Sequence, residues 1–304
     1  MIRVDRKLCE VELTDGTVVS CALRGHLFEF EGTETKPMAV GDRVRLQMDG
    51  DRGVVEEVLP RQTELSRIAV RGNKVQVLAA NVEQMVVVTT LRRPRSRPGM
   101  VDRLLAVSEH AGLSGLIVVN KVDLCGAEEV EEFLQPYAEL GYSTARTSAT
   151  ESIGLEELRG ALKDKVSVLV GHSGVGKSSL LNALSPELGL TVGSLMREGK
   201  GRHTTTFHAL WKLPFGGRVV DGPGVREFSM AGMTPEMLWG CFPEIRALQN
   251  DCHFPNCSHT HEPDCVVKPA LLAGEIRAER FLSYLKLLEE LQGGGQRMPR
   301  NSSF

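Results

Sequence analysis

The sequence has no apolar segment that approaches the roughly 18 uninterrupted residues needed to span a bilayer. Residues 1–16, MIRVDRKLCEVELTDG, have no apolar core behind their basic residues, so we expect no secretory signal. These absences argue against a membrane partner and leave the cytoplasm as the expected location.

The chain also lacks a surplus of positive charge, because its formal net charge is −3 and its isoelectric point is about 6.3. Bulk electrostatics therefore do not indicate a nucleic-acid-binding protein. Any such contact has to come from local basic segments, each of which alone is more typical of a solvated loop than of a phosphate clamp. The two candidates are LRRPRSRPGM, with Arg92, Arg93, Arg95 and Arg97, and MREGKGR, with Arg197, Lys200 and Arg202.

The seven cysteines are an odd number, and without an export signal they argue against a disulfide framework. Four of them are isolated and are expected to act as small buried hydrophobic residues, namely Cys9, Cys21, Cys125 and Cys241. The other three lie close together late in the chain.

A length of 304 residues suits two or three domains. Residues 1–72 alternate apolar and polar positions in short strands around turns such as Asp15-Gly16. This spacing predicts a small closed β-barrel of the OB type, although a β module that only supports its neighbour has a similar pattern.

Residues 73–229 alternate buried-type apolar runs with segments of helical periodicity, which predicts a parallel sheet covered by helices. In residues 230–304 we expect a mainly helical domain with a disordered tail. There Thr234 is predicted to cap a helix that has Pro235 at its first position.

Residues 171–179, GHSGVGKSS, fit the phosphate-loop pattern GxxxxGK[ST] between an apolar strand and a helix. Backbone amides of such a loop close on phosphates, Lys177 reaches the terminal phosphates and Ser178 binds magnesium. A glycine-rich strand-to-helix turn without a ligand is the alternative. The predicted nucleotide-binding residues here are Gly171, His172, Ser173, Gly174, Val175, Gly176, Lys177, Ser178 and Ser179.

Residues 120–123, NKVD, follow a buried run and indicate the base. The Asp123 carboxylate can accept both donors of guanine, a pair that adenine lacks. Asn120 would brace the neighbouring loops and Lys121 would cover the base face. We include Val122 of this segment in the site, and Ser148 and Ala149, within the TSA sequence at 147–149, are predicted to meet guanine O6 through a backbone amide.

Residues 221–224, DGPG, follow another apolar strand. Asp221 is predicted to hold magnesium through water, and the amide of Gly224 to sense the terminal phosphate. In an ordinary GTPase the phosphate loop comes first and NKxD last, whereas here NKxD and TSA come first and DxxG last. The cyclic order is preserved, which indicates a circular permutation, and a parallel sheet tolerates one because its termini lie at the surface.

A polar stretch, DCHFPNCSHTHEPDC, holds Cys252, Cys257 and Cys265 together with three histidines, His253, His259 and His261. Three thiolates and one imidazole make a closed tetrahedral site, which is structural rather than catalytic. From the residues alone any of the histidines is a possible zinc ligand, and a chance cluster of buried cysteines is the alternative.

The permuted order, the segment GRHTTT at 201–206, the barrel in front and the cysteine cluster behind resemble the RsgA (YjeQ) family of small ribosomal subunit biogenesis GTPases. The resemblance covers nearly the whole chain. It implies a GTPase stimulated by the small ribosomal subunit, an RNA-contacting OB domain and a C-terminal zinc domain. It also selects His259 as the fourth zinc ligand.

By this resemblance GRHTTT is switch I, where Thr205, rather than Thr204 or Thr206, would complete the magnesium coordination. Position 225 is a valine, which cannot orient a water molecule as the glutamine of many GTPases does. The family implies His203 as the catalytic residue instead, with a contact to ribosomal RNA or to solvent as the alternative role.

Together these features predict a monomeric GTP-hydrolysing assembly factor that uses Mg²⁺ with GTP and one structural Zn²⁺. It would bind the immature small subunit and its rRNA in the GTP state and leave after hydrolysis. Two alternatives stay open at this point: an RNA-binding module in which the nucleotide is only structural, and a GTPase that acts on another particle.

Overall fold

The structure is a computed structural model that describes residues 1–4, 8–24, 38–68, 75–189, 209–221 and 230–293. The chain divides into two compact units, one formed by residues 1–96 with 111–231 and the other by residues 97–110 with 232–304. This division is coarser than the three predicted domains, whose boundaries stay a prediction.

The N-terminal part of the first unit is a five-stranded sheet. The turn at Asp15-Gly16 joins two of its strands as predicted, with the Leu13 amide donating to the Thr17 carbonyl at 2.8 Å and Gly16 at a φ of 88°. In sheet order the strands run β1-β2-β3-β5-β4, with β3 and β5 parallel and the other pairs antiparallel. The strands are β1 (Arg3–Val4), β2 (Leu8–Glu12), β3 (Val18–Leu23), β4 (Val44–Asp49) and β5 (Arg52–Val58).

One face of this sheet is buried, because alternate residues of each strand point to the same side. Cys9 and Val11 of β2 pack there beside Val19 and Cys21 of β3, and Val55 of β5 completes the cluster. Of the four cysteines predicted to be small buried hydrophobic residues, Cys9, Cys21 and Cys241 are buried, whereas the prediction is wrong for Cys125, which is only half-buried.

A separate antiparallel hairpin of β6 (Glu64–Ile68) and β7 (Val75–Ala80) follows, which the sequence patterns did not predict. The predicted domain boundary at 72/73 falls between these two paired strands. Gly41 approaches β7 so closely that a Cβ there would lie 2.0 Å from the Ala80 carbonyl oxygen, so the backbone contact requires glycine.

The rest of the first unit is a six-stranded sheet in the order β10-β9-β8-β11-β13-β12, with five parallel strands and an antiparallel β12 at one edge. Its central strands are nearly unexposed along their length, as expected for strands covered on both faces. The strands are β8 (Gln84–Thr89), β9 (Ser114–Asn120), β10 (Ser143–Thr147), β11 (Val166–Val170), β12 (Leu210–Lys212) and β13 (Arg218–Asp221).

The helices appear where the apolar periodicity predicts them. α1 (Pro98–His110) connects β8 to β9 along the chain but belongs to the second compact unit. Within the first unit are α2 (Ala127–Glu139), α3 (Leu155–Leu162) and α4 (Lys177–Leu184). Leucines of α3 and α4 pack with β8, β9 and β11 residues in one apolar cluster.

In the second unit, the described residues from 232 to 293 contain no strand, as predicted. Besides α1, the unit has α5 (Pro243–Arg246), α6 (Val267–Leu272) and α7 (Ala278–Gln292). A buried ion network joins α1, α5 and α7: the Arg280 guanidinium donates to Asp102 at 2.9 Å and to Glu244 at 2.7 and 3.1 Å. Pairing on both sides offsets the desolvation of these charges.

The helix predicted after Thr234 is a 3-10 helix, Pro235–Cys241, rather than an α-helix. Pro235 does occupy the first position, but the Thr234 side chain makes no capping hydrogen bond, so that part of the prediction is wrong. Across the described ranges, no helix combines the length and the apolar character that crossing a bilayer requires.

Candidate nucleotide-binding site and cysteine–histidine cluster

The segments singled out in the sequence follow the carboxyl ends of neighbouring parallel strands. Asn120 ends β9, Thr147 ends β10, the phosphate-loop sequence follows β11 and Asp221 ends β13. Since parallel strands end at the same edge of a sheet, all four segments meet there. This edge is where open α/β sheets bind their ligands.

The phosphate loop connects β11 to α4. Gly171, at a φ of 157°, lies so close to β8 that a Cβ would be 2.3 Å from the Val88 carbonyl oxygen. Gly176 has a φ of 96°, and a Cβ there would be 2.4 Å from Nδ2 of Asn120. The glycines of the pattern are therefore required by close contacts within the fold, with backbone at Gly171 and with the Asn120 side chain at Gly176, and not only by a ligand.

Lys177 and Ser178 open α4 and are both buried, at 8% and 6% exposure. The Lys177 Nζ folds back over the loop and donates to the carbonyl oxygens of Gly171 at 2.8 Å and His172 at 3.3 Å. The loop thus encloses an ammonium group at a helix N-terminus, which is a favourable place for an anion.

Asn120 connects three loops at once, and its side chain is 1% exposed. Its Nδ2 donates to the Val175 carbonyl oxygen of the phosphate loop at 2.8 Å, and its Oδ1 accepts from Oγ1 of Thr147 at 3.2 Å. The base segment, the TSA segment and the phosphate loop are therefore held together by one amide. Thr147 was not among the predicted site residues, although a hydroxyl that ends the strand next to NKxD is a usable signal.

Lys121 adopts the left-handed conformation, with a φ of 62°, directly after β9. Its Nζ donates to the carbonyl oxygens of Gly174 at 2.7 Å and Arg93 at 2.8 Å. The stem of Lys121 is thereby stretched between the phosphate loop and the loop after β8. The role of the Arg93 carbonyl has no signal in the sequence, because any residue supplies a carbonyl.

Asp123 lies in a short 3-10 helix, Val122–Leu124, and its carboxylate is exposed. Ser148 is fully buried, and it exchanges two backbone hydrogen bonds of 3.0 Å with Ile153. Because the Ser148 amide is used in this way, it is not available to a base, whereas Ala149 is half-buried at the turn that follows.

The predicted switch I residues, His203, Thr204, Thr205 and Thr206, lie outside the described residues, as do Gly224 and Val225. For Asp221 the structure gives the backbone, which ends β13 opposite Leu169 of β11. Asp221 is therefore level with the residue two positions before Gly171, on the strand next to the one that leads into the phosphate loop.

A second candidate site lies in the C-terminal unit. One ligand atom from each of Cys252, Cys257, His259 and Cys265 lies within 4.8 Å of every other, and all four residues are buried. Nδ1 of His259 is 3.5 Å from the Cys265 Sγ and 3.8 Å from the Cys252 Sγ. The other two candidate histidines, His253 and His261, are exposed and outside the cluster.

The loop around this cluster is fixed by its own hydrogen bonds. Glu262 accepts from the Ser258 amide at 2.7 Å and from Oγ of Ser258 at 2.6 Å, and Tyr284 donates to the Ser258 carbonyl at 3.0 Å. Burial raises the pKa of Glu262, but the Ser258 hydrogen bonds outweigh it and the pKa falls to about 2. This carboxylate is therefore ionised while it holds the loop.

The chemistry inside the cluster fits a tetrahedral zinc ion. Burial raises the pKa of Cys257 to about 12 and lowers the pKa of His259. Both shifts favour the neutral form of the side chain, since burial disfavours a charge that has no partner. Nε2 of His259 is buried with no hydrogen-bond partner among the described residues. Three thiols and an imidazole in contact are the donor set of structural zinc sites.

The parallel sheet, the phosphate loop and the NKVD segment braced against it define a P-loop protein of the GTPase class, with the motif order circularly permuted. The RsgA GTPase family model matches residues 58–231. The chain therefore belongs to the RsgA GTPase family, and the resemblance predicted from the sequence is confirmed.

Similar proteins include the small ribosomal subunit biogenesis GTPase RsgA of Chlorobaculum tepidum, 43% identical over 92% of this chain and 94% of the relative. The RsgA of Pseudomonas aeruginosa strain LESB58 is 40% identical over 93% and 82%. Among solved structures, YjeQ from Thermotoga maritima matches with a TM-score of 0.79 and 36% identity over 96% and 97% of the two chains. The circularly permuted GTPase YloQ matches with a TM-score of 0.74 and 30% identity over 98% and 96%.

Proposed function

We propose that this protein is a GTP-hydrolysing assembly factor for the small ribosomal subunit, which binds the particle and its rRNA with GTP and leaves after hydrolysis. One observation carries the nucleotide part of the proposal: Asn120 ties the guanine-type segment to the phosphate loop by a hydrogen bond of 2.8 Å. The names of the relatives support the particle.

The phosphate end of GTP lies over the loop after β11 in this proposal. The ammonium of Lys177 turns from the loop carbonyls to the terminal phosphates, and backbone amides of the loop bind the remaining oxygens. Ser178, Thr205 and Asp221 would hold Mg²⁺, which neutralises the charge that develops on the phosphate oxygens. Gly224 would contact the terminal phosphate.

The base end is recognised by Asp123, whose exposed carboxylate is free to accept from N1–H and N2–H of guanine. Lys121 is held by its two carbonyl partners, so its stem covers one face of the base. Because the Ser148 amide bonds to Ile153, the Ala149 amide is the donor that remains for guanine O6 in this segment. Val122 supplies backbone to the same pocket.

Hydrolysis needs a water molecule in line with the terminal phosphate. We place that role on His203, because Val225 has no hydrogen-bonding group. Because position 225 supplies no side chain that orients this water, we expect intrinsic turnover to be slow and to depend on the particle.

The remaining finer assignments belong to the same proposal. The strand order β1-β2-β3-β5-β4 with a parallel β3–β5 pair supports an OB-type barrel in residues 1–72, a fold that binds oligonucleotides. The four-residue cluster would hold one structural Zn²⁺ through Cys252, Cys257, His259 and Cys265. We expect a monomer that works where small subunits are assembled, in the cytoplasm.

The test is the GTPase rate measured against small-subunit concentration. We expect the rate to rise and saturate, and the His203→Ala variant to bind the particle with GTP but to remain bound. A Lys177→Ala variant controls for nucleotide binding. If the particle does not stimulate turnover and His203→Ala is released normally, the nucleotide is only structural. If stimulation occurs with another RNA particle instead, the partner is wrong.

A further inference from the structure

The loop after β8, residues 91–97 with the sequence LRRPRSR, is the one basic segment from the sequence that lies within the described residues and has no role so far. We refer to it as the arginine loop. It leaves the same carboxyl edge of the sheet as the phosphate loop and the NKVD segment, because β8 lies between β9 and β11.

The backbone of the arginine loop is fixed at several points. Thr90 donates through its hydroxyl to the Pro94 carbonyl at 2.5 Å, and the Ser96 amide donates to the Thr90 carbonyl at 3.0 Å. Ser96 Oγ accepts from the Thr90 amide at 3.3 Å. A fully buried threonine thus determines the path of a loop that is exposed on its other side.

The same backbone rests on the nucleotide site. Lys121 Nζ bonds to the Arg93 carbonyl and to the Gly174 carbonyl with one ammonium group, at 2.8 and 2.7 Å. The ring of Pro94 lies next to Gly174, where a Cβ would be 3.6 Å from the Pro94 Cδ. A shift of the arginine loop would therefore change these contacts with the phosphate loop and with Lys121 of the NKVD segment.

The arginine side chains point away from these contacts into solvent. Arg92 bonds to Glu129 at 2.9 Å, but Arg93, Arg95 and Arg97 are exposed and form no ion pair within the described ranges. Unpaired guanidinium groups on a rigid loop stand out in a chain with a net charge of −3. Their neighbours along the loop include no carboxylate that would neutralise them.

We propose that the arginine loop binds the phosphate backbone of RNA through Arg93 and Arg95, at the rim of the nucleotide site. This inference rests on the proposed ribosomal function and names a docking surface for its rRNA. Guanidinium groups bind phosphate oxygens in a bidentate manner, and the fixed backbone limits the entropy lost on binding. The contact reaches the phosphate loop through the Arg93 carbonyl and Lys121.

The experiment compares Arg93→Gln/Arg95→Gln with the wild type in binding to small subunits and to protein-free small-subunit rRNA, over a range of salt concentrations. Each lost phosphate contact lowers the slope of log K against log salt by about one, so the double variant should lose about two. The control is Lys163→Gln/Lys165→Gln, which removes two exposed lysines. They precede the amino end of β11, whereas the phosphate loop follows its carboxyl end.

Each outcome decides the inference. A smaller slope with both particle and free rRNA, with unchanged slopes for the lysine control, supports it. An unchanged slope for the arginine variant overturns it, and so does a loss seen with the particle but not with free rRNA, which indicates a protein partner. Weaker GTP binding in the absence of RNA would assign the arginines to the nucleotide instead.

The proposed function fails separately from this inference. If the wild-type protein itself neither binds nor is stimulated by small subunits, the assembly role is wrong whatever the arginines do. If the wild type binds and is stimulated but the arginine variant behaves identically in every assay, only the arginine loop is wrongly assigned.

Discussion

The nucleotide loops and the cysteine–histidine loop are both irregular segments rich in polar residues, yet they are held in different ways. At the carboxyl edge of the sheet the protein satisfies its own groups: Asn120 and Lys121 bond to carbonyls of the phosphate loop. In the second unit, three buried thiols and Nδ1 of His259 instead face one another, with one ligand atom of each residue within 4.8 Å of every other. The first site is prepared by the fold, whereas the second has the donor set of a structural metal site.

The largest expected effect is the loss of the metal. Cys257→Ser removes one of four ligands, and we expect it to abolish stoichiometric zinc and to unfold residues 252–265, because zinc binding contributes on the order of 10 kcal/mol in small structural sites. Zinc content and hydrogen exchange of that segment measure both effects. Cys125→Ser, a half-buried cysteine outside the cluster, should retain zinc and protection. If zinc-free Cys257→Ser kept the full hydrogen-exchange protection of residues 252–265, the loop would be held without a metal and the contrast between the two sites would be wrong.

Base selection comes next. Asp123→Asn replaces an acceptor oxygen with a donor, so the preference for GDP over ADP should fall by up to roughly 10⁴-fold, measured by competition for a fluorescent nucleotide. The same variant should gain affinity for xanthosine diphosphate, which has a carbonyl where guanine has its amine. That gain serves as the folding control. Unchanged selectivity would remove Asp123 from the base site.

A smaller effect is expected from the brace itself. Asn120→Ala removes the bonds of the side-chain amide to the Val175 carbonyl and to the Thr147 hydroxyl, and should destabilise the nucleotide-free protein by about 2 kcal/mol in urea unfolding. Thr147→Val removes the 3.2 Å bond to Asn120 and a 3.4 Å bond to the Val119 carbonyl but leaves the bond between Asn120 and Val175 in place, so it should lose less. If both variants unfold like the wild type without nucleotide, the loops are held by the ligand and not by the fold.

The smallest expected effect on stability comes from an ion pair in the second unit that is independent of the cysteine–histidine cluster. Arg103 donates to Glu290 at 2.6 and 2.7 Å, and this hydrogen bonding lowers the pKa of Glu290 from 4.5. Arg103→Gln should destabilise by at most about 1 kcal/mol near neutral pH, since the pair is half-exposed.

The pH dependence follows from the sign of that shift. A carboxylate with a lowered folded pKa stabilises above its unfolded value, and this contribution disappears as the pH falls below about 4.5 through the folded pKa. The difference in unfolding free energy between wild type and Arg103→Gln should therefore shrink on acidification. A constant difference from pH 7 to pH 3 would show that the pair contributes through packing alone.

The secondary structure of the nucleotide region was predictable because its strands are long apolar runs and its helices strongly periodic. The hairpin of β6 and β7 was missed, since ELSRI has no such run and pairs only through its register with β7. The helix after Thr234 was predicted from a cap and a proline, but the structure has a 3-10 helix there in which only the proline signal is met. The placement of α1 in the second unit depends on the buried Asp102–Arg280 pair, two residues far apart in the chain.

The sequence by itself determined the chemistry of this protein: the phosphate loop, the guanine segment, the cysteine and histidine cluster and the permuted order of the motifs, because each can be recognised from the identity and order of residues. The tertiary structure decided the rest. It joined Asn120 to Val175, 55 residues apart, grouped His259 and not His253 or His261 with the cysteines, and rested the arginine loop on Lys121. These contacts depend on backbone carbonyls, which every residue has, and on burial, which arises only when the chain folds. Neither leaves a signal in the sequence.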